Sequence, residues 1–386
     1  AGLARLAGRQ ADLQRRRGQG RVVGRREHER LLAAARQHRA RFAGDAGGQP
    51  VHGQRLLVVE AGPGFGTNSA LNNRATAVAW RELTTGGAAV QSFNLNTGIA
   101  GARLTLGGSA TSEGYTASNG GFFSLAGYDT DASAATTASS VTARTVAHLD
   151  ASGNITWNSV TGSSGSSIRS AVTLDASGAN TWTGSGNGIG NNGTAINGSN
   201  IRNVNIFNGQ LMYSSQSQAA GPRGIYAFSG LPNAAATATA IINMDATVPS
   251  GTTGPAATPL PVDFHIAGTV AYVADERSAA NGGGLFRFDL NTSTGQWQYS
   301  YTLNAGLTAG LRSIAIGTDG FIYATDALAS SNNIVRVADT GAGSAFSIIS
   351  TAGTNRVFRG IEVIPTPGAA AMLGLGGLLA ARRRRA

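Results

Sequence analysis

Four arginines recur at one position of a repeated strand pattern. Each follows an apolar residue and precedes an alternating apolar strand, and they are Arg169, Arg202, Arg312 and Arg359. A guanidinium group offers five N–H donors, which suit carboxylates, phosphates or backbone carbonyls. If the four side chains face a central channel, they would bind an anion or an acidic glycan. We favour the structural alternative, in which each one donates a hydrogen bond to backbone carbonyls between repeats.

A second set of residues near the starts of the repeated strands carries imidazole and carboxylate groups. These groups would suit acid–base catalysis rather than anion binding. His265 lies two residues after Asp263 in a strand that starts one of the repeats, so we expect it to line the channel. Clustering of these two residues with Asp275 and Asp326 around one channel opening would favour a hydrolase or lyase. Nothing in their spacing forms a metal-ligand motif. We therefore predict no metal, no cofactor and no catalytic residue, with Asp275 and Asp326 capping turns.

The composition excludes several other chemistries. The 386-residue chain contains no cysteine, so disulfides, thiolate zinc sites, iron–sulfur clusters and cysteine nucleophiles are ruled out. Charged residues make up only 13% of the chain and hydrophobic residues 41%, which is enough to fill a sizeable core. The sequence is therefore that of a globular protein rather than of a coiled coil or a charge-rich disordered chain.

The arginines belong to a repeat that extends from about residue 52 to residue 364. The last two copies start 47 residues apart, at Leu311 and Phe358. In the clearest copies an Asn-Gly or Asp-Gly pair follows, at Asn208 and Asp319, and such pairs supply the positive φ angles of tight hairpins. A second hairpin completes each unit. Four strands per unit of this length predict the blade of a β-propeller.

The units predict six blades of four-stranded antiparallel sheet in an all-β fold. Five units start near residues 114, 168, 201, 264 and 311. The sixth would join Phe358–Ile364 at the end of the body to Arg55–Glu60 and Ala75–Phe93 at its beginning. Such a closing blade removes free sheet edges, which are liabilities in an open all-β stack. Seven blades is the alternative, because residues 95–200 are poorly patterned.

The C-terminal segment has three parts in a fixed order. Pro365, Thr366 and Pro367 precede a 14-residue apolar run over residues 368–381. As a helix this run would be about 21 Å long, short of a hydrocarbon core of about 30 Å. A basic cluster then follows, made of Arg382, Arg383, Arg384 and Arg385. The positive-inside rule would keep this cluster on the cytoplasmic side of a membrane.

This tail resembles the PEP-CTERM sorting signal of bacterial exported proteins, in which a Pro-Glu-Pro-like motif precedes a short apolar helix and a terminal basic cluster. Thr366 stands where that motif has its glutamate. The resemblance implies export to the cell envelope, surface or exterior, with transient anchoring in the inner membrane by a short C-terminal hydrophobic helix. It also implies a partner, an exosortase, which is a membrane-embedded protease of the transpeptidase type.

Segments of the body resemble a group of PEP-CTERM propeller-like surface proteins. These segments are Ala70–Val78, Gln91–Leu95 and Ser112–Gly114. The resemblance implies no established enzymatic activity. It is compatible with binding to an extracellular polysaccharide.

The net charge of +10 comes from the two ends of the chain. Residues 1–60 hold 13 of the 30 arginines against five acidic residues, whereas residues 61–381 hold 13 arginines against 15 acidic residues. With a nearly neutral body, we predict no nucleic-acid partner. Residues 1–55 show no signal peptide, and their composition is typical of a mistranslated or truncated start. The alternative is a genuine basic arm that binds RNA or anionic lipid.

These observations divide the chain into an irregular arm over residues 1–55, a β-propeller over 56–363 and a sorting tail over 364–386. We expect an exported, non-enzymatic binding or structural component of the envelope or matrix. The alternative is a secreted propeller hydrolase or lyase that acts at the channel mouth.

Overall fold

The computed structural model describes residues 54–62, 70–160, 166–175, 177–197, 200–219, 221–247 and 258–364. Within these ranges the only helical segments are one turn, α1 (Met244–Thr247), and two 3-10 turns at Ala138–Ser140 and Ala279–Asn281. The predicted all-β class is therefore confirmed. In the described ranges, no helix has the length and apolar character needed to cross a membrane. The predicted C-terminal helix, sorting tail and nearly all of the basic arm lie outside the described residues.

Nine strands precede residue 161, and the last six of them lie in the region 95–200, which the sequence patterns poorly. They are β1 (Arg55–Ala61), β2 (Arg74–Thr84), β3 (Ala89–Asn94), β4 (Thr105–Gly107), β5 (Thr116–Asn119), β6 (Phe122–Tyr128), β7 (Ser133–Thr137), β8 (Arg144–Leu149) and β9 (Ile155–Val160). The first two of these six, β4 and β5, have only three and four residues. That explains why their periodicity is weak in the sequence.

Four sheets follow, each made of four antiparallel strands that are consecutive along the chain. The first contains β10 (Ile168–Thr173), β11 (Thr181–Ser185), β12 (Gly188–Asn191) and β13 (Thr194–Asn197). The second contains β14 (Ile201–Phe207), β15 (Gln210–Ser215), β16 (Gly224–Ala227) and β17 (Thr239–Asn243). The third contains β18 (Pro261–Ala267), β19 (Val270–Asp275), β20 (Gly284–Asn291) and β21 (Gln296–Leu303). The fourth contains β22 (Leu311–Ile316), β23 (Ile322–Asp326), β24 (Asn333–Val337) and β25 (Ser347–Thr351).

The last strand, β26 (Val357–Ile364), returns to the beginning of the body and pairs antiparallel with β1. Leu57 lies opposite Glu362 in this pair, and Arg55 lies opposite Ile364. The sequence-based pairing of the two ends of the body is therefore observed. The pairing leaves β1 with neighbours on both sides, β26 and β2, so its backbone is not exposed as a sheet edge.

The strands β1–β9 and β26 form one ten-stranded sheet rather than two separate four-stranded ones. The short strand β4 causes the connection. Its residues pair with Ala75–Ala77 of β2 on one side, and Thr105 pairs with Tyr128 of β6 on the other. Within this sheet, β26, β1, β2 and β3 are hydrogen-bonded in that order, and so are β5, β6, β8 and β9.

The first strands of the sheets contact one another in a closed ring. Strand β10 contacts β14, β14 contacts β18, β18 contacts β22, β22 contacts β26, and the ring closes through β5 back to β10. Buried apolar clusters lie between neighbouring sheets, as for Phe264 and Phe286, which pack with Met212 and Ile225 of the preceding sheet. Sheets that pack face to face around a ring of inner strands form a β-propeller.

Burial decreases from the ring outward. All six residues of β10 are buried, whereas burial along β21 alternates between exposed and half-buried positions until Leu303. The inner strands are covered on both faces by neighbouring sheets, and the outermost strands face solvent on one side. Side chains of the inner strands are therefore the ones available to build a site on the axis.

Candidate functional site

The recurring arginines lie where the inner strands are irregular. In β10 the register with the neighbouring strand shifts between Ile168 and Ser170, and in β22 it shifts between Leu311 and Ser313. Each shift includes the arginine. A bulge of this kind bends the strand and redirects a side chain. Arg169 and Arg312 are consequently buried together with the residues on both sides of them.

We call the set Arg169, Arg202, Arg312 and Arg359 the arginine layer. Each residue comes from a different first strand, namely β10, β14, β22 and β26. Arg312 and Arg359 are each 1% exposed, Arg169 is 9% exposed, and Arg202 is half-buried. Arg202 is therefore the member of the layer that is most accessible to solvent.

Three members of the layer donate hydrogen bonds to backbone carbonyls; the bond from Arg169 of β10 to Ile201 of β14 joins two repeats, whereas the bond from Arg312 to Ala327 stays within one repeat. The bonds run from Arg169 Nη1 to Ile201 O (2.7 Å), from Arg312 Nη2 to Ala327 O (3.0 Å) and from Arg359 Nη2 to Gly108 O (2.9 Å). Arg202 instead donates to the side-chain oxygen of Gln216. These bonds fix the position of each guanidinium but use only a part of its donors.

Several polar atoms of the layer are buried without a hydrogen-bond partner among the described residues. They are Nε of Arg202, Nε and Nη1 of both Arg312 and Arg359, and the hydroxyl of the adjacent Tyr115. A buried donor that lacks an acceptor costs about 1–3 kcal/mol, and more when it is charged. The arginine layer therefore has hydrogen-bonding capacity that the described part of the protein does not use.

Burial and mutual repulsion disfavour the charged forms in the layer. Burial, followed by repulsion from Arg312, lowers the pKa of Arg359 to about 9. Burial, followed by repulsion from Arg202, lowers the pKa of Arg169 to about 10. Burial raises the pKa of Tyr115 to about 12, and the Glu276 carboxylate adds to this effect. All of these groups remain in their ordinary protonation states at neutral pH.

Two carboxylates accompany the layer, and the fold already supplies donors to both. Glu113 accepts hydrogen bonds from the Gly107 amide (2.8 Å) and the Tyr128 hydroxyl (2.5 Å). Burial is the main reason that its pKa is raised. Glu276 accepts a hydrogen bond from Gln216 Nε2 at 2.8 Å, and its other oxygen is 3.9 Å from Arg312 Nη2. Sequence reasoning did not find these acidic residues, because none of them shares the repeat position of the arginines.

Asp263 lies in the inner strand β18 and joins three of the sheets through hydrogen bonds. One of its oxygens accepts hydrogen bonds from Asn203 of β14 and from the Phe264 amide, and the other accepts from Ser313 Oγ and the Ile314 amide of β22. Burial raises its pKa to about 6. This carboxylate is saturated with donors, so its role in the structure is to join inner strands.

His265 is half-buried in β18, and its ring packs edge-on against Phe207 with a centroid distance of 5.2 Å. Burial lowers the pKa of His265 to about 4, so the imidazole is neutral at pH 7. It follows Asp263 by two residues in the same inner strand, β18. Among the described residues, no hydrogen bond or ion pair joins His265 to the arginines that the sequence analysis grouped with it as channel or ligand residues.

Asp275 and Asp326 lie at the ends of β19 and β23 and stabilise the turns that follow. Asp275 accepts hydrogen bonds from the Leu260 and Arg277 amides, and Asp326 accepts one from the Leu328 amide. Asp275 also forms a buried ion pair with Arg277 at 2.9 Å. Across the described ranges, no group of three or more histidine or acidic side chains is placed to hold a metal.

A buried serine–histidine pair lies in the first half of the chain. The Ser124 hydroxyl and His148 Nδ1 are 2.9 Å apart on adjacent strands β6 and β8, and the two residues are 0% and 1% exposed. Burial lowers the pKa of His148 to about 4. No short-range signal in the sequence connects two residues on different strands, so only the sheet register reveals this pair.

Neither a protein family model nor a curated protein sequence matches the chain. Similar solved structures include a chain of a nidogen/laminin complex, with 11% identity, a TM-score of 0.47 and coverage of 81% of this chain and 99% of that one. TolB from Acinetobacter baumannii has 10% identity and a TM-score of 0.43, over 81% of this chain and 67% of its own. The periplasmic gluconolactonase PpgL from Pseudomonas aeruginosa has 11% identity and a TM-score of 0.39, over 81% of this chain and 100% of its own.

Proposed function

We propose that this protein is an exported β-propeller, displayed at the cell surface or released outside the cell after sorting through its C-terminal tail. The observation that carries the proposal is the order of three elements at the end of the chain. A Pro-Thr-Pro motif at residues 365–367 precedes the apolar run, and four arginines follow that run. This order resembles that of PEP-CTERM signals. An exosortase-like membrane protease is the partner that would recognise it.

In this proposal the apolar run inserts into the inner membrane and the arginines hold its end in the cytoplasm. The propeller then lies on the outer side. Cleavage near residues 365–367 would release the body from its anchor, so the mature form would end close to Ile364. That residue is the last of β26, and a cut after it leaves the pairing of β26 with β1 intact.

We also propose that the propeller has six blades. Four of them are the consecutive four-stranded sheets from β10 to β25. The other two are the runs β26-β1-β2-β3 and β5-β6-β8-β9 within the ten-stranded sheet. The strands β4 and β7 would then be insertions that join these two blades. A crystal structure would count the blades directly, and a separate blade built on β4 or β7 would support seven.

The role that we propose for the body is binding or structural rather than enzymatic. Support comes from the way in which the acidic side chains near the axis are used. Asp263, Asp275 and Asp326 accept hydrogen bonds from backbone amides and neighbouring side chains. A general base or a nucleophile needs a free lone pair directed at a substrate.

The test is mass spectrometry of the protein from its native cells, covering both chain ends and each cell fraction. We expect recovery from the envelope or the medium, with a C-terminus near residues 365–367. Recovery from the cytoplasm with Arg382–Arg385 still attached would contradict export and sorting.

A pair of variants separates the tail signal from the folding of the body. Replacing Arg382–Arg385 with glutamine should prevent processing and leave the protein uncut. Replacing Arg223, a partly exposed arginine of the body that pairs with Asp245, with glutamine should leave processing unchanged. Equal processing of both variants would overturn the proposed role of the basic cluster.

A further inference from the structure

The arginine layer combines positive charge with N–H donors that have no hydrogen-bond acceptor among the described residues. Its members Arg312 and Arg359 are almost completely buried, yet two nitrogen atoms of each lack a hydrogen-bond partner within the described ranges. The Tyr115 hydroxyl is also buried and has no hydrogen-bond partner among these residues. It interacts electrostatically with Arg202 and Arg312. Arg312 and Arg359 come from neighbouring strands of the ring, β22 and β26, and Tyr115 immediately precedes β5, which contacts β26.

The acidic groups around the layer offset part of its charge but do not satisfy its donors. Glu113 is occupied by the Gly107 amide and the Tyr128 hydroxyl. Glu276 is held by Gln216, and its nearer oxygen is 3.9 Å from Arg312 Nη2, beyond hydrogen-bonding distance. Asp326 also acts electrostatically on Arg312, so carboxylates offset much of the charge of the layer, and what remains unused are its N–H donors.

We propose that the arginine layer is a binding site for a small oxyanion, either free or as the charged group of a larger ligand. Several guanidinium forks around one point match the oxygen atoms of a tetrahedral or carboxylate anion. Tyr115 would add a neutral donor. The deep burial of Arg312 and Arg359 limits the part of the ligand that reaches them to a small group.

Access to the site would be from the side of Arg202 and Glu276. Arg202 is half-buried, and the Glu276 side chain is 14% exposed, whereas the other arginines lie deeper. A free inorganic anion would enter completely. A saccharide bearing a carboxylate or sulfate would insert only that group and leave its ring near Glu276. This inference does not depend on the sorting tail, because it uses residues of the propeller alone.

Thermal unfolding and calorimetry of the full chain test the proposal. Sodium sulfate, phosphate and glucuronate are compared with sodium chloride at equal ionic strength, so that general screening is constant. At millimolar concentrations, where the general stabilising effect of excluded salts is small, we expect at least one of the oxyanions to give a saturable rise in melting temperature over chloride and a measurable Kd. An effect of sulfate or phosphate alone indicates a free anion, and stronger binding of glucuronate indicates a saccharide acid.

Two variants test whether the oxyanion binds in the arginine layer. Arg359→Gln removes one set of free donors and should weaken oxyanion binding by about tenfold or more, the value of one charge-assisted hydrogen bond. Arg223→Gln makes the same charge change at the surface ion pair with Asp245 and should leave the Kd unchanged. If both variants lose binding equally, the site is not in the layer.

A crystal soaked in selenate tests the wild-type protein without any substitution, and it remains decisive if Arg359→Gln fails to fold. An anomalous peak between Arg312, Arg359 and Tyr115 is the expected result. The absence of a peak, together with equal melting temperatures in sulfate and chloride, would overturn the proposal. Neither result depends on whether the protein is exported.

Discussion

Asp263 shows how one buried side chain can hold three sheets of the propeller. It accepts hydrogen bonds from Asn203, Phe264, Ser313 and Ile314, and it is 3% exposed. The carboxylate is costly to bury, as its raised pKa of about 6 indicates. A raised pKa means that its favourable contribution to stability is complete below the unfolded value of 3.8 and is lost as the pH rises through 6.

Replacing Asp263 with alanine should nevertheless destabilise the protein at pH 7 by about 3–5 kcal/mol, because it leaves several buried donors without an acceptor. Asp263→Asn keeps one acceptor oxygen and should cost less. Urea unfolding of both variants measures the effect. Asp131→Ala is the control, because its carboxylate is 55% exposed. A loss no larger than that of Asp131→Ala would contradict the role that we assign to Asp263.

Because His148 is buried, we expect the stability of the protein to fall at acid pH. Burial lowers its pKa to about 4 from 6.5 in the unfolded chain, with Asp175 acting weakly in the opposite direction. Its contribution to stability is therefore complete above pH 6.5 and is lost as the pH falls through 4. The maximum effect is about 3 kcal/mol.

The measurement is the free energy of unfolding at pH 7 and pH 4.5 in the wild type and in His148→Gln. We expect the wild type to lose more stability between these pH values than the variant does. NMR titration of the His148 imidazole provides an independent check. A midpoint near the unperturbed value of 6.5 would show that the ring is not held neutral by burial.

At the scale of elements, neighbouring sheets approach closely where inner strands begin. Gly310 immediately precedes β22, and a Cβ atom at this position would overlap the backbone of Asp275, Glu276 and Arg277 after β19. Its backbone conformation is an ordinary one, so the glycine is needed for space rather than for an unusual φ. The tight contact brings Glu276 towards Arg312 in the next sheet.

Gly310→Ala should therefore destabilise the protein by about 3 kcal/mol or more, because backbone atoms cannot move aside cheaply. Gly230→Ala is the matched control, since a Cβ there meets nothing within 4 Å. Its effect should stay within about 1 kcal/mol. Chemical denaturation compares the two, and similar stabilities would argue against the close approach of the two sheets.

Turns illustrate a second feature of the elements. Asn208 and Gly209, between β14 and β15, both have positive φ angles, of 52° and 73°. Such a pair forms the tight hairpin that the sequence predicts. At Asp319-Gly320 only the glycine has a positive φ, and the aspartate instead accepts hydrogen bonds from the Phe321 amide and the Tyr323 hydroxyl. Two similar dipeptides thus form different turns, because their loops differ in length.

At the scale of the whole molecule, the ring depends on a strand from the end of the body. Strand β26 pairs with β1, contacts β22 and β5, and contributes the fully buried Val357 and Ile361. Without it, β1 would expose an unpaired edge and the ring would open between β22 and β5.

Ending the chain at Arg356 should therefore abolish cooperative unfolding and expose apolar surface. Ending it at Ile364 keeps β26 complete and should preserve the cooperative transition of the full chain. Circular dichroism during heating, with binding of a hydrophobic dye, distinguishes the two. A sharp transition in the shorter chain would show that closure by β26 is not required for folding.

Local patterns in the sequence were sufficient to predict the all-β class, the starts of the repeat units and the pairing of the two ends of the body. Alternating apolar residues and Asn-Gly turns act within a few residues, so strands such as β14, β22 and β26 could be located from them. The same reasoning was weak over residues 95–200. There β4 and β5 have only three and four residues, and β4 joins two parts of one sheet through pairings distant in sequence.

The sequence by itself determined that arginines recur at one position of the repeat. Only the tertiary structure decided what surrounds them. Bulges in the inner strands redirect their side chains, and the closed ring brings the segment of Glu113 and Tyr115 close to Glu276 from a distant part of the chain. Burial and charge at a site depend on these long-range contacts, and no spacing along the chain encodes them.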